Sequence, residues 1–338
     1  MKINNHLLPR LLLRNWEELG AHLFCKKNRK YRELTKSDFS SKYYYSLGKP
    51  DDTLENRIAR FETRIGHILK KIKTATSTVL LTGKEIELVK LFCYLSACRQ
   101  HNTSIVIKSD ESGIYRNNNY LFGTPLVKTQ DQAVSLTEEI IKEFERILTL
   151  PDDSLFNNWS GVILPMTNNT PLCQGMHISI IKSKGNNILV SDICAIIECT
   201  IDSDYLFTYV PISPKIALLL VKSKYYQNMR QFEYTKKRLG SKYGMGNADP
   251  YISEIFCEDE SVLFDSCYTQ DLNVTVIPST IDVQSYKSAY LKIRNCNDIS
   301  IQRLNSIMFE DGNKIVVCNK KDLDRAKSKL MIRKVTVG

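Results

Sequence analysis

The sequence predicts an α+β fold, in which a mainly helical half over residues 1–155 packs on a mainly antiparallel sheet formed by residues 156–338. In the first half, apolar residues recur at intervals of three and four, the period of an amphipathic helix. Beyond residue 160 they stand in short runs rich in Val and Ile, separated by Asn, Gly and Pro. We expect the two halves to form a single intertwined domain, because candidate site residues come from both.

Three helices are predicted in the first half. The clearest covers residues 52–74, and its apolar stripe consists of Leu54, Ile58, Phe61, Ile65, Ile68 and Ile72. The second covers residues 84–100 and is apolar on nearly every side, which is typical of a helix at the centre of a core. The third, over residues 135–149, begins with Ser135 and Glu138 at the spacing of a capping box.

The rest of the chain predicts strands and two final helices. Branched, apolar runs predict strands at 162–164, 177–181, 188–190, 206–210 and 216–221. Three glycines predict a flexible loop over residues 240–250. The last elements are a helix at 298–309, a strand at 314–318 and a helix at 321–330.

The composition is that of a globular protein. Of the 338 residues, 43% are hydrophobic and 25% are charged. No apolar run approaches the roughly 20 residues that a membrane helix needs, so we expect a cytoplasmic protein with no membrane partner. The ten cysteines include no Cys-x-x-Cys pair, which argues against a zinc ribbon and favours small buried hydrophobes.

Positive charge is concentrated in the first third of the chain. Residues 1–110 hold 21 Lys and Arg against 11 Asp and Glu, whereas residues 111–338 hold 26 of each. The strongest basic run consists of Lys26, Lys27, Arg29, Lys30 and Arg32, with Tyr31 among them. Cations bind phosphates and an aromatic ring can stack on a base, so this run predicts nucleic-acid binding. A solvated basic face or an exposed loop explains the same pattern.

Three common site motifs are excluded. Asn319-Lys320-Lys321-Asp322 follows a predicted strand in the manner of a guanine-specifying motif, but no phosphate loop stands upstream of it. Thr82-Gly83-Lys84 lacks the first glycine of such a loop. No Gly-x-Gly-x-x-Gly follows a strand, and no Gly-x-Ser-x-Gly nucleophile elbow is present.

The amino-terminal segment combines a histidine, a proline and a leucine run closed by Trp16. Chain termini commonly fray, so the leucines indicate that burial holds His6 and Arg10 near a packed surface. This segment resembles the opening of a bacterial family catalogued as domain of unknown function 4238, with its His-x-x-Pro and Leu-Arg-aromatic pattern. We expect one core to contain Leu11 to Leu13, Phe61, Ile65, Phe92 and Leu95.

Three further matches carry the resemblance, which runs from about residue 4 to residue 320. They are Ser191-Asp192 with the later Pro211-Ile212-Ser213-Pro214, Leu304-Asn305 on a late helix, and the pair Glu55 and Glu62 on the first long helix. After Asp192 this chain has Ile193-Cys194-Ala195, where the family often has Asn or Gln and then Pro-Val.

The polar residues of this set are His6, Arg10, Glu62, Arg99, His101, Asp192 and Asn305. We expect His6, Glu62 and Asp192 to meet at one cleft as catalytic residues. His6 would transfer the proton, while Glu62 and Asp192 would hold a divalent metal such as Mg²⁺ or Mn²⁺ or orient water. Arg10 and Arg99 would suit a phosphate or a carboxylate, and we expect Arg10 or Arg99 beside the three catalytic residues. With the basic run, both are candidate nucleic-acid-binding residues. The alternative is a buried polar network that joins helix, strand and amino-terminal segment.

These observations favour a nucleic-acid-directed hydrolase: a metal-assisted nuclease with RNA as the favoured partner. We expect a ribonuclease-like effector, a toxin of bacterial stress or antiphage defence, with a protein partner from the same defence operon. The alternative is a non-catalytic module that binds a partner protein or nucleic acid, with the polar set serving stability. Convergence of the three candidate catalytic residues at a cleft would favour the first, and enclosure or separation would favour the second.

Overall fold

The computed structural model describes residues 4–6, 8–35, 37–42, 53–98, 138, 141–142, 145–146, 148–149, 163–164, 170–171, 176–199, 205–222, 268–270, 274–276, 288–296 and 298–335. The helices with defined bounds are α1 (Arg10–Glu17), α2 (Thr53–Thr74), α3 (Gly83–Cys98), α4 (Asp298–Asp311) and α5 (Lys320–Val335). Together with two mostly antiparallel sheets they confirm the α+β class.

The strands of the amino-terminal part are β1 (Asn4–His6), β2 (His22–Cys25), β3 (Lys30–Glu33), β4 (Ser40–Lys42) and β5 (Thr78–Thr82). Those that follow are β6 (Ile163–Leu164), β7 (Thr170–Pro171), β8 (Met176–Ser183), β9 (Val190–Ser191), β10 (Ile196–Cys199), β11 (Tyr205–Pro211) and β12 (Ile216–Lys222). The last are β13 (Tyr268–Gln270), β14 (Val274–Val276), β15 (Ser288–Cys296) and β16 (Lys314–Val317).

The larger sheet has six strands in the order β10–β11–β12–β8–β15–β5. Its neighbours are antiparallel except β15 and β8, which are parallel. Along β12, Leu218 and Leu220 pack into the cluster that contains α2 and α3, whereas Ala217 and Leu219 pack into the cluster that contains α4. Helices therefore cover both faces, which explains why this strand is apolar without alternation.

The smaller sheet has four antiparallel strands in the order β3–β2–β16–β9. Its faces are also buried on opposite sides, since Leu23 and Val316 join the first cluster and Phe24 and Ile315 join the second. Short antiparallel pairs also join β1 to β4, β6 to β7 and β13 to β14.

The chain passes directly from one sheet to the other between β8 and β9. Strand β8 lies in the six-stranded sheet and β9 in the four-stranded sheet. The connection, residues 184–189, is called the β8–β9 loop below. A second passage runs from β15 through α4 to β16. The fold thus contains a junction at which the chain connects the two sheets.

The predicted amino-terminal core is confirmed. Leu12, Leu13, Phe61, Ile65, Phe92 and Leu95 belong to one buried cluster, and Leu11 packs against it partly buried. Tryptophan 16 of α1 is fully buried in the same cluster. Among the residues that the structure describes, no helix has both the length and the apolar character needed to cross a bilayer.

Most predicted elements lie close to their observed bounds, but two differences matter. The predicted strand at 188–190 is wrong over its first two residues, because Ile188 and Leu189 bond to two side chains and to the carbonyl of Pro214 instead of a neighbouring strand. The first 155 residues also supply strands, and β2 and β5 pair with β16 and β15 from the far end of the chain. The predicted loop at 240–250 lies outside the described residues, as does most of the helix predicted at 135–149.

Candidate functional site

Three of the segments that carry the family resemblance meet at the β8–β9 loop, through Trp16, Pro214 and Asn305. Ile188 and Leu189 in this loop are completely buried, yet they belong to no strand. Buried backbone groups need hydrogen-bond partners, and here two side chains and one backbone carbonyl from distant parts of the chain provide them. The indole N–H of Trp16 donates to the carbonyl of Ile188 at 3.0 Å, and the N–H of Ile188 donates to the carbonyl of Pro214 at 2.8 Å.

Asn305 of α4 completes the pairing on the other side of the loop. Its Oδ1 accepts from the N–H of Leu189 at 2.9 Å, and its Nδ2 donates to the carbonyl of Asn187 at 2.8 Å. The amide side chain therefore takes the place of a strand neighbour, with one donor and one acceptor. Asn305 is itself buried, so its own polar atoms also need partners, and the same two hydrogen bonds satisfy them.

The polar end of the loop is bound to the start of α4. Asp298 Oδ1 accepts from the N–H groups of Gly185 at 3.1 Å and Asn186 at 3.0 Å. A Cβ added to Gly185 would clash with the Asp298 carboxylate, so glycine allows this close approach. Lys215, in the turn before β12, donates to the Gly185 carbonyl at 2.8 Å.

The Asn-Lys-Lys-Asp sequence has a structural role at this same place. Asn319 Oδ1 accepts from the N–H of Asp322 at 3.0 Å, which caps the first turn of α5. The buried carboxylate of Asp322 then accepts from Asn187 Nδ2 at 2.9 Å. Arg325, one turn further on, donates to Asn186 Oδ1 at 2.6 Å.

Asp192 fixes the corner between α4 and β16. Its Oδ1 accepts from the backbone N–H groups of Asn313 at 2.8 Å and Lys314 at 3.2 Å, while its own N–H donates to the Lys314 carbonyl at 3.1 Å. Burial raises the pKa of the Asp192 carboxyl, and the donated N–H groups oppose that rise. A Cβ on Gly312 would lie 2.6 Å from the Ser191 side chain, so this corner also requires glycine.

The remaining candidate residues have different surroundings. His6 lies in β1, where its backbone pairs with Ser40 of β4. Glu62 is half-buried on α2. Arg10 forms a two-bond ion pair with Glu17 on its own helix, one bond of which measures 2.8 Å. Arg99, like His101, lies outside the described residues.

For Asp192 and Asn305 the contacts are those of the buried polar network. The convergence of His6 with Glu62 and Asp192 stays a prediction.

The predicted basic run forms a β-hairpin made of β2, β3 and their turn, residues 22–33, which we call the basic hairpin. Lys27 and Arg29 are exposed in the turn, and Lys30 is exposed at the start of β3. Arg29 has a φ of 56°, in the left-handed region that favours glycine. All four residues of β3 are exposed, and β3 is an edge strand of its sheet.

Two other cations of the run anchor the hairpin. Lys26 Nζ donates to the carbonyls of Phe309 at 3.1 Å and Glu310 at 2.7 Å, so its ammonium caps the carboxyl end of α4. Arg32 forms a two-bond ion pair with the buried carboxylate of Asp38. Burial alone would raise the pKa of Asp38, but the bonds from Arg32 and Thr35 outweigh it and lower that pKa.

Sequence reasoning missed two features that the structure brings forward. His22 and Tyr31 stack across the hairpin, with ring centroids 4.8 Å apart and an interplanar angle of 8°. Glu87 and Lys90 form a buried ion pair on α3, 2.9 Å long, and burial raises the pKa of Glu87. No signal in the sequence indicated the first, because all four residues of β3 are exposed. The three-residue spacing on an apolar helix was the signal for the second.

The comparison with protein families decides where the chain belongs. The model of the family described as protein of unknown function (DUF4238) matches residues 4–322, nearly the whole chain. The chain belongs to this family. No curated protein and no solved structure matches it. Membership in DUF4238 therefore assigns no reaction to the residues of this site.

Replacement of Asn305 tests the side-chain pairing of the β8–β9 loop. Asn305→Ala leaves the Leu189 N–H and the Asn187 carbonyl without their partners, so we expect the free energy of unfolding to fall by about 2–4 kcal/mol. Gln302→Ala, on a half-buried position of the same helix, should change it by about 0.5 kcal/mol or less. Chemical denaturation of both variants measures the difference, and equal effects would contradict the role assigned to Asn305.

Proposed function

We propose that this DUF4238 protein binds nucleic acid, with RNA favoured, through the basic hairpin. The observation that carries the proposal is the exposure of Lys27, Arg29 and Lys30 together on one anchored hairpin. Within the part of the chain that the structure describes, no hydrogen bond or ion pair engages these three side chains. Three cations close together and open to solvent are the minimal feature that a phosphate backbone requires.

The rigidity of the hairpin supports the proposal. Lys26 ties the turn to α4 through its side chain and to the Asn313 carbonyl through its N–H at 2.9 Å. Arg32 ties β3 to Asp38. Because the strands are already fixed, binding orders only the side chains that meet the ligand, which lowers the entropic cost of association.

The backbone of Arg29 supports it further. A left-handed conformation costs a non-glycine residue about 1–2 kcal/mol. Glycine would relieve this strain but would remove a cation from the turn. Strained positions of this kind cluster at functional sites.

Charge replacement in the hairpin tests the proposal. The variant Lys27→Gln, Arg29→Gln, Lys30→Gln removes three phosphate contacts, so the slope of log affinity against log salt should fall by about 2 for a single strand. The control variant Arg60→Gln, Arg64→Gln, Lys70→Gln removes three exposed cations from α2 and should change the slope little. Binding is measured with an RNA oligonucleotide across a salt series.

Two results would contradict the proposal. If the wild-type protein binds neither RNA nor DNA at low salt, the basic hairpin serves another partner or solubility. If the hairpin and α2 variants lose affinity equally, the positive charge acts as a diffuse field and the hairpin has no special role.

A second candidate function is the hydrolase based on His6, Glu62 and Asp192, and two hydrogen bonds of one lysine favour it. Lys314 donates through its N–H to Asp192 and through its ammonium to the carbonyl of Asp38. Asp38 comes two residues before Ser40, the partner of His6 in the β1–β4 pair. One lysine thus connects the segment of His6 with the carboxylate of Asp192. Glu62 and Asp192 would hold Mg²⁺ or Mn²⁺ in this proposal, although the described residues contain no group of three or more metal-ligating side chains.

Conservative variants separate catalysis from stability at this site. Asp192→Asn keeps an oxygen that accepts from the Asn313 and Lys314 N–H groups, so we expect its melting temperature to stay near that of the wild type. With RNA and either metal, Asp192→Asn and His6→Ala should each reduce cleavage by about 100-fold or more. His67→Ala, an exposed histidine on α2, is the matched control and should cleave normally. Wild-type protein that cleaves no nucleic acid, or full activity in Asp192→Asn, would rule the hydrolase out.

A further inference from the structure

The stacked pair of His22 and Tyr31 forms a flat surface on the basic hairpin. The β2–β3 register pairs Tyr31 with Phe24 and His22 with Glu33, so the two rings are diagonal neighbours on one face of the sheet. Their planes differ by only 8° at a centroid distance of 4.8 Å. His22 is half-buried in β2, which has a strand on either side, whereas Tyr31 is 37% exposed on the edge strand.

This geometry leaves part of an aromatic residue open to solvent. His22 covers one face of Tyr31, and 37% of the tyrosine is exposed, so a base can approach the ring only where His22 leaves it open. The imidazole behind the ring fixes its orientation before a ligand binds. A preorganised aromatic face beside cations is the arrangement with which proteins stack unpaired bases.

The charges around the Tyr31 ring indicate the path that a bound nucleic-acid strand would take. Lys30 precedes Tyr31, and Lys27 and Arg29 stand in the adjoining turn. Burial and the carboxylates of Asp322 and Asp324 raise the pKa of the Tyr31 phenol. Those carboxylates repel phosphate and the cations of the turn attract it, so we expect a nucleic-acid backbone to follow the turn, with a base over the ring. The phenol stays neutral, and its hydroxyl remains a donor.

We infer that Tyr31, supported by His22, stacks one unpaired base of a strand whose phosphates bind Lys27, Arg29 and Lys30. The inference rests on the proposed nucleic-acid binding and adds its selectivity: single-stranded nucleic acid is bound in preference to duplex. In a duplex the bases stack on one another and offer no free face to Tyr31, so only the cations of the hairpin contribute.

Tyrosine variants and an abasic ligand test the stacking. The ligand is an oligouridylate of about 12 nucleotides, within the site size of known single-strand binding folds. Base–aromatic stacking predicts that Tyr31→Leu weakens binding by about 5- to 100-fold, while Tyr31→Phe, which keeps the ring, stays near the wild-type affinity. An oligomer with abasic sugars and the same phosphates should bind the wild-type protein as weakly as oligouridylate binds Tyr31→Leu. Affinity for a 12-base-pair duplex RNA should not change in either variant.

The outcomes separate this inference from the proposed function. If charge replacement in the hairpin abolishes binding but Tyr31→Leu binds oligouridylate normally, the hairpin binds phosphates and the stacking inference is wrong. If duplex RNA binds the wild-type protein as tightly as oligouridylate does, the inferred preference for single strands is also wrong. If no nucleic acid binds the wild-type protein, both proposals fail. Melting temperatures of the two tyrosine variants show whether the fold is retained.

Discussion

The whole fold depends on how the chain crosses between its two sheets at the β8–β9 loop. Ile188 and Leu189 are completely buried in this loop, yet neither belongs to a strand. Their backbone groups would cost about 1–3 kcal/mol each if left without partners. Trp16, Asn305 and the carbonyl of Pro214 supply those partners from three separate parts of the chain. The crossing therefore forms only when α1, α4 and the turn before β12 are all in place.

The same junction determines where the basic hairpin stands. Asp192, just after β9, binds the corner between α4 and β16 through the N–H groups of Asn313 and Lys314. Lys26 binds that corner from the opposite side, through the Asn313 carbonyl and the last carbonyls of α4. A displacement of the β8–β9 loop would thus shift the corner and the hairpin together. Trp16, Asp192 and Asn305, which come from three of the family motifs, are parts of one connected scaffold, and the exposed cations and Tyr31 lie on its surface.

Local patterns in the sequence predicted the elements that depend on periodicity, and long-range pairing accounts for the rest. The helical stripe of residues 53–74 and the apolar runs of β8, β11 and β12 follow from side-chain burial alone. Strand β3 could not be recognised, because all its residues are exposed and its stability comes from pairing with β2. The roles of Asp192 and Asn305 were equally hidden, since their partners stand more than 100 residues away in the chain. The contacts of Asp192 and Asn305, a carboxylate and an amide that face backbone groups, became visible only with the fold.

Hydrogen exchange of the backbone amides in the β8–β9 loop tests most directly whether this loop holds the two sheets together. Leu189 donates its N–H to Asn305 and Ile188 donates to Pro214, so both amides should exchange only when the whole protein unfolds, at the rate of the most protected amides of β8 and β12. Residue-resolved exchange at several denaturant concentrations measures this. If Ile188 and Leu189 exchange through local opening, as amides of ordinary surface loops do, then the loop is not the junction that holds the two sheets together.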